Sequence, residues 1–155
     1  MDIRIDNLEN MRAACMEHIG PYNEIGPVFG KLWSFTQENS IPVDDQKWLG
    51  IYWDDPSDVL PEKLRSEACV TVCSKTEIPD TEGLTIRTLE GGKYAIGTYV
   101  GPYSGLGSAW GEIDAAVKKM EAKPRQSPCF ELYVKGGDDS IPEEEWITEL
   151  CIPVE

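Results

Sequence analysis

The chain repeats itself at an offset of 81 residues, and this feature limits the possible folds more than any other. His18-Ile19-Gly20-Pro21-Tyr22 returns as Tyr99-Val100-Gly101-Pro102-Tyr103. At the same offset Gly26 meets Gly107, Phe29 meets Trp110, Gly30 meets Gly111, Leu32 meets Ile113, and Ile51-Tyr52 meets Leu132-Tyr133. After one extra residue, Glu67-Ala68-Cys69-Val70-Thr71-Val72 meets Glu149-Leu150-Cys151-Ile152-Pro153-Val154. Coincidences in the same order mark two copies of one unit, about residues 1–80 and 81–155, which together make a single domain over 1–155.

Each copy reads alike. A strand over Arg12 to His18, or Lys93 to Val100, ends at Gly-Pro-Tyr, where proline bars helix continuation and glycine permits a tight bend. A helix follows. Val28, Leu32 and Phe35 lie at i, i+4 and i+7 in the first copy, with Pro27 suited to the first turn. Leu106, Trp110, Ile113 and Val117 make the stripe in the second, and Lys118 and Lys119 favour its C-terminal end. Two strands complete each copy, Lys47–Trp53 with Ser66–Cys73 and Pro128–Val134 with Trp146–Val154, separated by acidic linkers such as Asp54 to Asp58 and Gly136-Gly137-Asp138-Asp139. Ile3–Ile5 and Leu84–Thr88 add opening strands, the latter expected to pair through Glu90-Gly91-Gly92. The fold class is α+β: duplicated strand-helix-strand-strand units. One such unit buries little alone, so the copies are expected to pack about a pseudo-twofold axis with a ligand cleft at the seam.

Charge narrows the partners. With 14 Lys and Arg against 28 Asp and Glu, the formal net charge is −14. That surface repels phosphate backbones and has no basic cluster, so direct nucleic-acid binding is not expected. Acidity either serves solubility alone or raises the local concentration of cationic ligands. No apolar run reaches the ~20 residues of a membrane span, and the start of the chain lacks a signal-peptide pattern, so a cytoplasmic location is expected. The five cysteines are odd in number, and four lie in strand-like runs, as buried reduced thiols do.

Conventional catalytic motifs do not assemble, so no catalytic residue, metal or cofactor is assigned. The lone histidine, His18, holds the strand position that Tyr99 fills in the other copy, which reads as packing. Ser104 lacks the glycine spacing of a nucleophile elbow. Cys69 and Cys73 have no zinc-ligand companions, and Gly105-Leu106-Gly107-Ser108-Ala109-Trp110 puts tryptophan where a dinucleotide fingerprint needs glycine. One position stands out. In Cys129-Phe130-Glu131-Leu132-Tyr133-Val134 a single carboxylate interrupts an apolar strand, and alternation puts Glu131 and Tyr133 on one face. The first copy has Gly50 and Tyr52 at those places. A buried carboxylate is costly and calls for a partner or a purpose; pairing with Lys or Arg, or facing water on an exposed sheet, are the structural alternatives. The 5 Trp and 6 Tyr outnumber the 3 Phe, and rings around a carboxylate suit flat lipophilic cations.

Gly-Pro-Tyr before the helix, Ile51-Tyr52-Trp53-Asp54-Asp55-Pro56, Pro61-Glu62-Lys63-Leu64-Arg65, Gly91-Gly92-Lys93-Tyr94-Ala95 and Pro128-Cys129-Phe130-Glu131-Leu132-Tyr133 together resemble the GyrI-like, or bacterial effector-binding, domain family from about Arg4 to Val154. The resemblance implies a duplicated α+β domain that binds small molecules of multidrug type, amphipathic and often cationic. It places the family's cleft glutamate on Glu131 and aromatic walls on Tyr52, Tyr103, Trp110 and Tyr133. The family also includes DNA gyrase inhibitors acting by protein contact, for which the acidic stretch from Asp138 to Glu145 is a candidate patch, and hydrolases of strained cyclopropane-type electrophiles. A helix-turn-helix segment finds no room in the sequence, so direct transcriptional control is not expected.

Overall fold

A computed structural model describes residues 1–42, 46–137 and 139–155; Asp138, part of the expected acidic patch, lies outside them. Among the described residues, eight strands and two α-helices follow in the order β1 (Asp2–Leu8), β2 (Met11–Ile19), α1 (Gly26–Glu38), β3 (Trp48–Tyr52), β4 (Arg65–Thr71), β5 (Leu84–Leu89), β6 (Gly92–Val100), α2 (Leu106–Lys119), β7 (Cys129–Lys135) and β8 (Ile147–Pro153). The fold is α+β, and all the strand pairs described below are antiparallel. The chain divides into two compact units: an inner one in sequence, Asn10–Glu90, and an outer one, Met1–Glu9 with Gly91–Glu155.

In the inner unit β4 pairs with β2 and β3, and β5 pairs with β2. Ala14, Ala68 and Val70 meet Leu32 and Phe35 of α1, so the expected helical stripe is the buried one. Alternate residues Ala13, Cys15, Cys69, Leu49 and Ile51 are buried as well, which is why these strands read as nearly continuous apolar runs. Pro27 stands at the start of α1, where its missing N–H costs nothing. In the outer unit β8 pairs with β6 and β7, and β1 pairs with β6. Ala95, Leu150 and Ile152 meet Leu106, Ala109, Ile113 and Val117 of α2. Lys118 and Lys119 occupy its last turn.

The Gly-Pro-Tyr corners are built alike. Gly20 at φ +134 and Gly101 at φ +147 adopt backbone that favours glycine, and their N–H groups donate to Leu64 O at 2.8 Å and Trp146 O at 2.9 Å. Tyr22 and Tyr103 each open a single turn of 3-10 helix. His18 Nε2 donates to Pro21 O at 3.0 Å, and Tyr99 Oη donates to Pro102 O at 2.7 Å, so both side chains pin the following corner. The longer tyrosine has a consequence: a Cβ at Gly105 would collide with the Tyr99 hydroxyl, whereas the matching position after His18 is Glu24.

One expectation is corrected. β5 does not form a hairpin with β6 through Glu90-Gly91-Gly92; it pairs with β2, and β1 pairs with β6. A two-residue hairpin turn wants Gly, Asn or Asp at its first position to reach positive φ, and Glu90 resists that. An ion pair ties β5 to β4 in the inner unit, and another ties β1 to β8 in the outer one. Arg87 Nε reaches Glu67 Oε1 at 2.8 Å, and Arg4 Nη2 reaches Glu149 Oε2 at 2.9 Å. No helix among the described residues is long and apolar enough to cross a membrane.

Candidate functional site

Strand register places Glu131 and the position offset from it by 81, Gly50, within their units. Glu131 lies opposite Leu150 on β8, and Gly50 lies opposite Ala68 on β4. Leu150 and Ala68 both belong to the core beneath their helix, so position 131 faces α2. Glu131 is only 5 % exposed, so it does not stand on a water-facing sheet surface. Trp110 Nε1, from α2, donates to Oε1 at 2.7 Å, and Tyr133 Oη, two residues along β7, donates to Oε2 at 2.7 Å. Both donors are neutral dipoles. They orient the two oxygens and carry no charge of their own.

The aromatic surround continues outward. The Tyr103 ring lies 5.5 Å from that of Tyr133 and 4.7 Å from that of Trp146. Tyr103 is 37 % exposed, so the ring group reaches the surface. Burial, and after it the Glu131 charge, push the Tyr103 hydroxyl above its usual pKa. The same helix face carries Asp114 one turn beyond Trp110. Burial first, then the Asp114 charge, push the Cys129 thiol up to about 11, which makes it a neutral packing group at physiological pH.

Four of the five expected site residues therefore gather in the outer unit: Glu131, Tyr133, Trp110 and Tyr103. Tyr52 belongs to the inner unit, where its ring packs edge-on to Tyr22 at 4.8 Å. Tyr22 Oη donates to Asp54 O at 2.6 Å, and Asp54 is held below its usual pKa by the hydrogen bonds and charge of Arg65. Trp146 was missed because it stands at a strand edge after an acidic run and has no aromatic counterpart at the matching position.

A second buried carboxylate was also missed. Glu67 on β4 is 3 % exposed and accepts from Trp53 Nε1 at 2.7 Å and from Arg87 Nε at 2.8 Å, with the Arg87 guanidinium 5.5 Å from the Trp53 ring centre. The signal was available: Glu67 precedes Ala68-Cys69-Val70 in an apolar strand, the pattern that exposed Glu131. Among the described residues no three His, Cys, Asp or Glu side chains gather as a metal site would.

The model of the GyrI-like small molecule binding domain family matches residues 1–155. A DNA gyrase inhibitor of Pectobacterium carotovorum is 29% identical over 158 aligned residues, covering 100% of this chain and 98% of that protein. In fold, the chain resembles the EcmrR C-terminal domain, with a TM-score of 0.79 at 17% identity over 99% of this chain and 97% of that one. It also resembles SAV2435 solved with tetraphenylphosphonium, with a TM-score of 0.64 at 19% identity over 100% of this chain and 94% of that one. The chain belongs to the GyrI-like small molecule binding domain family.

Proposed function

We propose that the protein binds amphipathic aromatic cations, with Glu131 recognising the charge and Tyr103, Trp110 and Tyr133 contacting the rings. The observation that carries this reading is the buried Glu131 carboxylate, oriented by two neutral donors beside rings that reach the surface. A desolvated carboxylate gains from a cation more than a solvated one does, and ring faces add cation–π attraction. The net charge of −14 favours approach of the same ligands. The tetraphenylphosphonium bound to SAV2435, a cation wrapped in rings, is a ligand of this class. Tyr52, set against Tyr22, is proposed as a further ring contact, and the two units as copies of one duplicated strand-helix-strand-strand element.

The test is a titration followed by Trp fluorescence with dyes of similar shape and different charge. Rhodamine 6G, a cation, is expected to quench with micromolar affinity, about −8 kcal/mol. Fluorescein, an anion, is expected to bind far more weakly. Equal affinity for both would remove the charge-recognition reading.

The name of the Pectobacterium relative favours a second reading, inhibition of DNA gyrase by protein contact. A gyrase supercoiling assay with the purified protein tests it. Undiminished supercoiling at saturating protein would count against that reading.

A further inference from the structure

Thr148, on β8, is fully buried, and its hydroxyl finds no hydrogen-bond partner among the described residues. It shares a sheet face with Leu150 and Ile152, the residues beneath α2, so it lies on the side that Glu131 also faces. Register sets Tyr99 of β6 on one flank and Tyr133 of β7 on the other. Gly101 N donates to Trp146 O at 2.9 Å and Val154 N to Lys93 O at 3.0 Å, and in that ladder the Thr148 backbone is bonded to β6. Toward β7 it therefore stands in a pair without backbone bonds, the kind that brings facing side chains closest, here Thr148 and Tyr133. Glu131 is the diagonal neighbour on the same face.

Both flanking tyrosines direct their hydroxyls elsewhere. Tyr99 Oη donates to Pro102 O at 2.7 Å, and Tyr133 Oη donates to Glu131 Oε2 at 2.7 Å. A buried hydroxyl without a partner weakens a fold, and valine offers nearly the same shape, suits a strand and avoids that cost.

The inner unit nevertheless has the same arrangement. Ser66, which meets Thr148 one residue beyond the 81-residue offset, is fully buried, has no partner among the described residues and stands opposite Tyr52. Tyr52 and Tyr133 are the ring contacts proposed for the ligand, so each unit sets an unpaired hydroxyl beside one of them. Where packing gains nothing from a hydroxyl, recognition of a polar atom is its remaining physical use.

We propose that Thr148 is a second polar determinant of the Glu131 site. Its hydroxyl pairs with an uncharged oxygen, whether carbonyl, ether or hydroxyl, on a ligand whose cationic part Glu131 receives. Thr148 thereby favours oxygen-bearing cations over cations clad only in hydrocarbon, a distinction that the Glu131 charge alone does not make. The inference rests on the cation reading of that site.

The test is calorimetric titration with two cations. Rhodamine 6G carries an ester and a ring oxygen, whereas tetraphenylphosphonium has no hydrogen-bonding atom. Thr148→Val is expected to weaken rhodamine 6G binding about 3- to 10-fold and to leave tetraphenylphosphonium binding unchanged. Thr148→Ser, which keeps the hydroxyl, is expected to bind both as the parent does. Because the hydroxyl has no partner to lose, Thr148→Val should melt no lower than the parent. Unchanged binding of both probes in Thr148→Val overturns the proposal, and so does an equal loss of both. A lowered Tm with unchanged rhodamine 6G binding also overturns it and makes the hydroxyl part of the framework. Glu131→Gln separates this inference from the reading beneath it, since it is expected to weaken both probes. That result with no discrimination in Thr148→Val defeats the role of Thr148 alone, whereas a parent that binds neither probe defeats both.

Discussion

Both units bury a carboxylate that accepts a tryptophan indole N–H at 2.7 Å, yet the second donor differs. Glu67 receives the Arg87 guanidinium, whereas Glu131 receives the Tyr133 hydroxyl. The guanidinium neutralises charge as well as orienting it, so Glu67 works within the fold, as a tie between β4 and β5. The phenol only orients. The outer unit has its own strand tie in Arg4–Glu149, at the position matching Glu67, so the ion pair is common to both units and Glu131 is the addition. The comparison teaches that a buried carboxylate is assigned a role by its donors rather than by its burial.

Several changes would break or sharpen this contrast. The largest effect is expected where the units diverge in shape. Gly105→Ala forces a Cβ against the Tyr99 hydroxyl and should destabilise the protein by about 3 kcal/mol, read from urea unfolding. Tyr99→His in the same chain copies the His18 arrangement and should recover more than half of that loss; no recovery would show that the two corners are not interchangeable. Next comes the strand tie. Glu67→Gln leaves Arg87 without its carboxylate, and because Arg87 is 40 % exposed it can turn to water, which limits the cost to about 2 kcal/mol. For a chain of this size that lowers Tm by roughly 4–8 °C. Rhodamine 6G affinity should stay at the parent value, and a matching loss of binding would erase the distinction between the carboxylates.

A smaller effect concerns Tyr103. Its pKa is raised in the folded protein by burial and by Glu131, so the unfolded chain releases this proton first as pH rises. Stability from this group is therefore present below the unfolded tyrosine value of about 10 and declines as pH climbs through the raised folded value. Glu131→Gln should bring the Tyr103 titration down while leaving that of Tyr22, itself raised mainly by burial, in place. Absorbance at the tyrosinate band, with Tyr103→Phe as the difference control, measures this. A Tyr103 titration indifferent to Glu131 would mean that the two groups do not share one field.

Much of this molecule was legible in its sequence. The Gly-Pro-Tyr corners, both helices and the six strands following each corner or opening it came from periodicity and the offset, because those elements bury one regular stripe or alternate along a strand. Glu131 was legible because a lone carboxylate in Phe130-Glu131-Leu132 violates an otherwise apolar pattern. The partners of β1 and β5 were not, since strand pairing depends on long-range ties such as Arg87–Glu67 that no local pattern encodes. Nor did the sequence distinguish a ring that walls a site from one that donates to its carboxylate. Trp110 and Tyr133 fit the first description in the sequence, and the structure adds the second through their 2.7 Å hydrogen bonds.

The central claim is that Glu131 supplies the charge that selects cations. Calorimetric titration of rhodamine 6G into the parent and into Glu131→Gln tests it most directly, because glutamine keeps the shape and removes the charge. A desolvated charge contact is worth roughly 1.5–3 kcal/mol, so the variant should keep its fold and bind about 10- to 150-fold more weakly. Undiminished binding together with a much lower Tm would contradict the claim and make Glu131, like Glu67, a member of the fold's internal framework.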